Sequence, residues 1–270
     1  MEFRYRRPSP RLAGFVEILW YWEGPRRPHD FERLLPDGSM ELIVNLREDE
    51  VRAYDRRDLR RFERLEGCIL TGPRSEYFVI DTDQQTRVLG VHFRPGGAFP
   101  FLRLPADELH CLQISLSGVW GSFAREVRER ALTAKTAGAR FDVLESALLA
   151  RLAKPLERHR AVDYALGQFC TGARTVAEVV KTTGLSARRF IQLFKQQVGM
   201  APKQYCRVRR FQAVIRNLPS GLAIDWAGLA ADHGYFDQAH LIHEFHAIAG
   251  ISPGQYAAAR TEHLNHVPMR

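Results

Sequence analysis

Hydrophobic and polar positions change their period part-way along this 270-residue chain. From Phe15 to about Arg94 the apolar residues come in short runs: Phe15–Trp22, Met40–Leu46, Cys68–Thr71, Tyr77–Asp81 and Val88–Phe93. Turn signals separate them, among them Gly24-Pro25, Pro36-Asp37-Gly38, Gly72-Pro73 and Pro95-Gly96-Gly97. Short runs with Gly/Pro punctuation predict strands of a small barrel or sandwich. Alternation within Val88–Phe93 puts Val88, Gly90 and His92 on one face and Leu89, Val91 and Phe93 on the other. The charged segment Arg47–Arg64 reads as a loop or exposed hairpin. Beyond Leu104, apolar residues recur at three- and four-residue spacing, which predicts helices over Val119–Leu132 and Phe141–Leu152.

A boundary is expected at Lys154–Arg160, where Pro155 and a cluster of charges interrupt the pattern. Everything after it reads helical: Ala161–Phe169, Thr175–Thr183, Ser186–Val198, about Pro202–Asn217, Ile224–His233, Asp237–Ala249 and Pro253–Arg260. Within this region the chain repeats itself. Phe190, Phe194, Gly199, Pro202 and Tyr205 recur 51 residues later as Leu241, Phe245, Gly250, Pro253 and Tyr256. Val176, Val179, Val180 and Gly184 recur 50 residues later as Trp226, Leu229, Ala230 and Gly234, so the change of offset falls in the turn. A helix, a Gly-centred turn and a second helix, twice over, is the layout of a DNA-reading module. Ser186 and Asp237 stand at N-cap positions, Gly199 and Gly250 at C-caps, and Pro202 and Pro253 in first turns, so each helix has a local reason to start and stop.

Net charge is +8, which suits a polyanionic partner. Its placement says more. From Lys181 to Arg216 there are nine Lys/Arg and no Asp or Glu, whereas 217–259 has no Lys or Arg and carries Asp225, Asp232, Asp237 and Glu244. The four cysteines, Cys68, Cys111, Cys170 and Cys206, are scattered, as reduced thiols of a cytoplasmic protein would be. No apolar stretch is long enough for a membrane span.

The region from about 161 to 260, with its tandem helix-turn-helix, long connecting helix and closing Gly250-Ile251-Ser252-Pro253-Gly254-Gln255-Tyr256, resembles the DNA-binding domain of AraC/XylS-type bacterial transcription regulators. The remainder, with Leu35-Pro36-Asp37-Gly38-Ser39 and Phe93-Arg94-Pro95-Gly96-Gly97, is similar to an N-terminal domain of undefined role found in some of them. The expected architecture is an α+β two-domain protein. Residues 1–153 form a β-rich domain, a small barrel or sandwich with helices, for sensing or dimerisation. Residues 158–262 form an all-α DNA-binding domain, with helix-turn-helix units at about 175–198 and 224–249 joined by a long helix.

The resemblance implies that the third and sixth helices of that domain enter successive major grooves. It assigns base contacts to Arg188, Arg189, Ile191 and Gln192 in the first unit and to Gln238, Ala239, Ile242 and His243 in the second. Arg can take guanine O6/N7, Gln adenine N6/N7, and Ile a thymine methyl. Lys181, Lys195, Lys203, Arg207, Arg209, Arg210 and Arg216 are expected on phosphates, which fix position without reading sequence. Phe190, Leu193 and Phe194 point inward on the helical period. The first unit should then supply most affinity and the second mainly shape. His240, His243 and His246 are spaced by three and drift around their helix, so no metal is expected. Their protonation would tighten DNA binding as pH falls.

For the N-terminal domain, Trp20, Trp22, Phe78, His92 and Arg94 are the candidate lining of a small-molecule effector pocket, although core aromatics look the same in sequence. Helix Val119–Leu132 is the candidate dimer contact. No cofactor is implied. Double-stranded DNA is the expected partner, with RNA polymerase, an effector and a second copy of the chain as further ones. No catalytic fingerprint is present, and the isolated cysteines argue against a DNA-repair methyl-transfer protein. The competing reading is a ligand-independent architectural or adaptor protein that binds DNA.

Overall fold

The computed structural model describes residues 2–172, 174–219 and 224–269. The N-terminal part begins with β1 (Glu2–Arg6), β2 (Val16–Glu23), β3 (Phe31–Leu34), β4 (Glu41–Asn45), β5 (Glu50–Asp55), β6 (Asp58–Glu66), β7 (Cys68–Thr71), β8 (Phe78–Asp81), β9 (Arg87–Phe93) and β10 (Gln113–Ser115). Helices α1 (Ser117–Trp120), α2 (Phe123–Thr133) and α3 (Ala137–Ala150) complete it. The C-terminal part runs α4 (Arg160–Thr171), α5 (Val176–Thr183), α6 (Ala187–Val198), α7 (Pro202–Asn217), α8 (Trp226–Asp232), α9 (Gln238–Ala249) and α10 (Pro253–Ala259), then β11 (His266–Pro268). The protein thus has a β-rich N-terminal domain and a helical C-terminal region.

Six strands form an antiparallel sheet in the order β1-β2-β9-β4-β7-β10. Period-two alternation sends Leu19, Tyr21, Leu42, Val44, Leu70, Leu89, Val91 and Phe93 to one face, where they pack on Trp120, Ala124, Val127, Phe141, Leu144 and Leu148 from the helices. On the other face Trp20 lies against Gly90, whose missing side chain makes room for the indole. The charged 47–64 segment is a hairpin, β5 paired with β6. The helix expected over Val119–Leu132 is interrupted instead at Gly121, which takes φ of 64°. Its apolar face, Ala124, Val127 and Ala131, is buried in the core, and so is not available as the expected dimer contact.

One feature lies beyond the helical region. Strand β11 pairs with β3, giving a sheet of order β11-β3-β8, so the C-terminal tail returns to the N-terminal domain. Beside it Glu32, 1% exposed, accepts from Arg27 at 2.6 Å and contacts His29 at 2.7 Å and the tail's His266 at 2.8 Å. Burial pushes the Glu32 carboxyl up, but His266, His29 and Arg27 outweigh it and bring it down to about 2. Leu35, 3% exposed, reaches the other way and joins Phe211, Ile215, Leu241, Phe245 and Tyr256 in one core with the tail's Val267.

Two outcomes follow for stability. Leu35→Ala removes a residue shared by both parts and should cost about 3 kcal/mol in urea unfolding; an effect under 1 kcal/mol would deny that the shared core matters. Glu32 has a depressed pKa, so its stabilisation is present above the unfolded value near 4.5 and is lost as pH falls towards 2. Glu32→Gln should therefore flatten the acid limb of the stability profile, measured by unfolding at pH 5, 4 and 3.

Candidate nucleic-acid interface

Each helix of the C-terminal region is started and stopped by its own residues. Thr175 and Glu178 form a capping box on α5. The Ser186 side chain accepts from the Arg189 amide at the start of α6, and Asp237 does the same for His240 at the start of α9. Gly199 and Gly250 end those helices in the left-handed conformation, with φ of 89° and 69°.

Packing then decides which face is left for a partner. In the first unit Phe190 and Phe194 are 0% exposed and Leu193 is 6% exposed. Phe169, Phe194 and Tyr205 meet at ring separations of 5.8, 6.4 and 5.7 Å. In the second unit Leu241, Phe245 and Ile248 take the inward positions, with Phe211 of α7 packed edge-on to Phe245 at 4.9 Å. The connecting helix α7 therefore contributes to both cores, Tyr205 near its start and Phe211, Val214 and Ile215 towards its end.

With those faces buried, Arg188, Arg189, Ile191 and Gln192 stand exposed on α6, and Gln238, Ala239, Ile242 and His243 stand exposed on α9. Arg188, Ile191 and Gln192 fall on one stripe at i, i+3 and i+4, as do Ala239, Ile242 and His243. Ile191 and Ile242 keep 40% and 39% exposure, matched apolar spots at corresponding positions in the two helices. The Arg189 guanidinium donates to Gln192 Oε1 at 3.1 Å. His240 differs from its neighbours: its Nδ1 accepts from the Phe236 amide at 3.2 Å, and its ring stacks edge-on to Tyr235. His243 and His246 are exposed.

The seven cations expected on phosphates separate into two groups. Lys181, Lys203 and Arg216 are exposed, and among the described residues they make no ion pair. Lys195 is paired with Asp107 of the N-terminal domain at 3.4 Å. Arg207 grips Glu244 with two hydrogen bonds, 2.7 and 2.9 Å, and this outweighs partial burial to hold the Glu244 carboxyl below its ordinary range. Arg209 turns inward, its Nη2 donating to Cys170 Sγ at 3.4 Å, and Arg210 lies over the Tyr235 ring at 5.2 Å. Arg207, Arg209 and Arg210 of α7 thus bind protein groups, whereas Lys203 and Arg216 of the same helix and Lys181 of α5 make no ion pair among the described residues. Sequence spacing could not separate the two groups, because the partners Asp107, Glu244 and Cys170 lie far from them in the chain.

The N-terminal domain touches this region closely. Gln212 of α7 donates from Nε2 to the Pro36 carbonyl and to Asn265 Oδ1, both at 2.8 Å. The Tyr77 amide donates to the Ile248 carbonyl at 2.8 Å, and the Tyr77 ring lies against Gly250. Asp37 contacts His92 Nε2 at 3.2 Å, while His92 Nδ1 lies 2.8 Å from Glu41. Burial alone would push the His92 imidazole down, but the two carboxylates raise it well above its ordinary value. Burial likewise pushes Asp37 up, and His92, the Ser39 amide and Arg209 hold it down.

Each of the five expected pocket residues meets a neighbour of its own. Trp20 covers Gly90, Arg27 lies over the Trp22 ring, His92 is held by Asp37 and Glu41, Arg74 stacks on Phe78 at 4.2 Å, and Arg94 donates to the Ala13 carbonyl. An open cleft of about 660 Å³ is lined by Glu23, Arg26, Arg47, Asp83, Thr86 and Arg87 among others, and by none of those five. No helix among the described residues is long and apolar enough to cross a membrane.

Residues 179–259 match a family described as a helix-turn-helix domain. The C-terminal region thus contains a helix-turn-helix domain. Residues 4–115 match a domain of unknown function (DUF6597). No curated protein matches the chain. Among solved structures the chain is similar to unsaturated fatty acid bound wild-type ToxT from Vibrio cholerae, at 10% identity and a TM-score of 0.45, covering 94% of each chain. It is also similar to Vibrio cholerae ToxT bound to (E)-4-(8-methylnaphthalen-1-yl)but-3-enoic acid, at 9% identity and a TM-score of 0.47, covering 96% of this chain and 99% of that one.

The Lys195–Asp107 pair yields a direct expectation. Asp107→Asn frees the cation, so DNA affinity at low salt should rise severalfold and the salt slope steepen by about one. Arg207→Ala, by contrast, should leave the slope unchanged, because Glu244 already neutralises that charge. Fluorescence anisotropy from 50 to 200 mM salt checks both.

Proposed function

We propose that the chain is a sequence-specific DNA-binding regulator that reads two half-sites with α6 and α9 and is modulated through its N-terminal domain. The observation that carries the reading is the matched pair of exposed stripes, Arg188, Ile191 and Gln192 on α6 and Ala239, Ile242 and His243 on α9, with the faces carrying Phe190, Leu193 and Phe194 and Leu241, Phe245 and Ile248 packed into the cores. Arg188 and Gln192 carry bidentate hydrogen-bonding groups suited to guanine and adenine edges, and the two isoleucines suit thymine methyls. Arg189 and Gln238 flank these positions. Lys181, Lys203 and Arg216 bind phosphates, and Lys195 joins them when Asp107 releases it. Arg209 and Arg210 serve the protein's own packing in this reading, and Arg207 serves the fit between α7 and α9.

Modulation rests on the contacts between the two parts. An effector or protein partner that shifts the N-terminal domain acts on Gln212, Lys195 and the turn at Gly250 together, through Pro36, Asp107 and Tyr77. RNA polymerase and a second copy of the chain are the protein partners that belong to this reading. A ligand-independent DNA-binding adaptor is the second reading, and the neighbours that engage Trp20, Trp22, Phe78, His92 and Arg94 favour it. Thermal stabilisation by a small molecule separates the two.

Selection of genomic DNA fragments by the full-length protein tests the main reading. The expected result is one motif with two half-sites about one helical turn apart. Arg188→Ala should then relax preference at one base position at a cost of about 1–3 kcal/mol, while Lys203→Ala should weaken all sequences alike. Recovery of no enriched motif would overturn sequence specificity and leave a general DNA binder.

A further inference from the structure

Phe236 is 92% exposed, the most exposed of the large apolar side chains described. Its origin is visible in the repeat. Between the turn glycine and the N-cap the first unit has only Leu185, whereas the second has Tyr235 and Phe236. Leu185 packs against the first core, and Tyr235, 6% exposed, fills the equivalent place in the second. The inserted residue that changes the repeat offset from 50 to 51 is therefore Phe236, and no core takes it in.

Its position is fixed nonetheless. The Phe236 amide donates to His240 Nδ1 at 3.2 Å, and Asp237 next to it caps α9 through the His240 amide at 2.7 Å. Phe236 thus stands at the N-terminal end of the second reading helix, beside Gln238 and Ala239, and it is this end of a recognition helix that meets base edges. The unit around it has no Lys or Arg from 217 to 259, so it has little attraction to phosphate with which to hold DNA.

We propose that Phe236 is a specificity-determining contact of the second unit, packing its ring on thymine C5-methyl groups in the major groove of the second half-site. The inference rests on the two-half-site reading above and adds what the second unit recognises. An aromatic ring buries a large apolar area, and the thymine methyl is the apolar feature of the major groove. The second unit reads by apolar contact where the first reads by charge and hydrogen bonds. Ile242, also exposed on α9, extends the same apolar surface.

The test uses the full-length protein and duplexes carrying the site it selects, with each thymine of the second half-site replaced in turn by uracil, which deletes only the methyl. Wild type should lose about fivefold in affinity at one or two of these positions. Phe236→Ala should lose about tenfold on the thymine site and be indifferent to uracil at those positions, with an unchanged melting temperature. Phe236→Leu should recover part of the loss. The proposal is overturned if Phe236→Ala binds as wild type, which would assign the ring to a protein contact, or if every uracil effect persists in the variant. A wild-type protein that selects no site fails the regulator reading itself. Retained Arg188-dependent reading of the first half-site, with no effect at Phe236, fails this inference alone.

Discussion

The seating of the Leu35–Ser39 segment on the connecting helix is the constraint on which the arrangement of the whole protein depends. Leu35 is buried among Phe211, Ile215 and Phe245, the Pro36 carbonyl accepts from Gln212, and Gly38, with φ of 88°, lies 3.0 Å from the Tyr205 ring at its hypothetical Cβ. A side chain at position 38 would meet both that ring and the left-handed penalty. Asp37, enclosed at the same point, links His92 of the sheet to Arg209 of α7. One five-residue turn thereby fixes the sheet, both helix-turn-helix cores and the tail strand relative to one another. Because the second core contains Leu35 and Val267, its completeness depends on the N-terminal domain being docked.

This docking gives the unequal charges of the two units a physical sense. The first unit keeps its positive charge facing outward, apart from Lys195, which Asp107 holds. The second has no cation of its own and borrows Arg207 and Arg210 from α7, but spends them on Glu244 and Tyr235. In the proposed reading, long-range attraction to DNA belongs to the first unit and short-range fit to the second. Helix α7 spans 16 residues, about 24 Å, less than the repeat of the major groove, so the spacing of the reading helices depends on how each unit packs on α7 as well as on its length.

Much of the C-terminal region was legible because its signals are local. Caps at Ser186 and Asp237, left-handed glycines at 199 and 250 and the inward Phe190 and Phe194 all follow from spacing within a turn or two. The strands Met40–Leu46 and Val88–Phe93 were equally plain, being buried alternating runs. What was hidden depends on distant partners. Strand β3 and the tail strand β11 are three or four residues long with half-polar sequences; β11 is a strand because β3 pairs with it, and β3 lies between β11 and β8. The break at Gly121 was masked by continuous apolar spacing on both sides. The division of the cations depended on Asp107 and Glu244, which no spacing rule connects to Lys195 or Arg207. Trp20, Trp22, His92 and Phe78 suggested a pocket by residue type, yet each has a neighbour that occupies it. Phe236 was within reach, since the shift in repeat offset marks one inserted residue in that turn.

The central claim is that α6 and α9 engage one face of a duplex together, and hydroxyl-radical footprinting of the full-length protein on a selected fragment tests it most directly. Two protected windows on the same face, about 10 base pairs apart, with the stronger protection over the first unit's half-site, are the predicted result. A single protected window, unchanged when α9 is altered at Ile242 and His243, would contradict it.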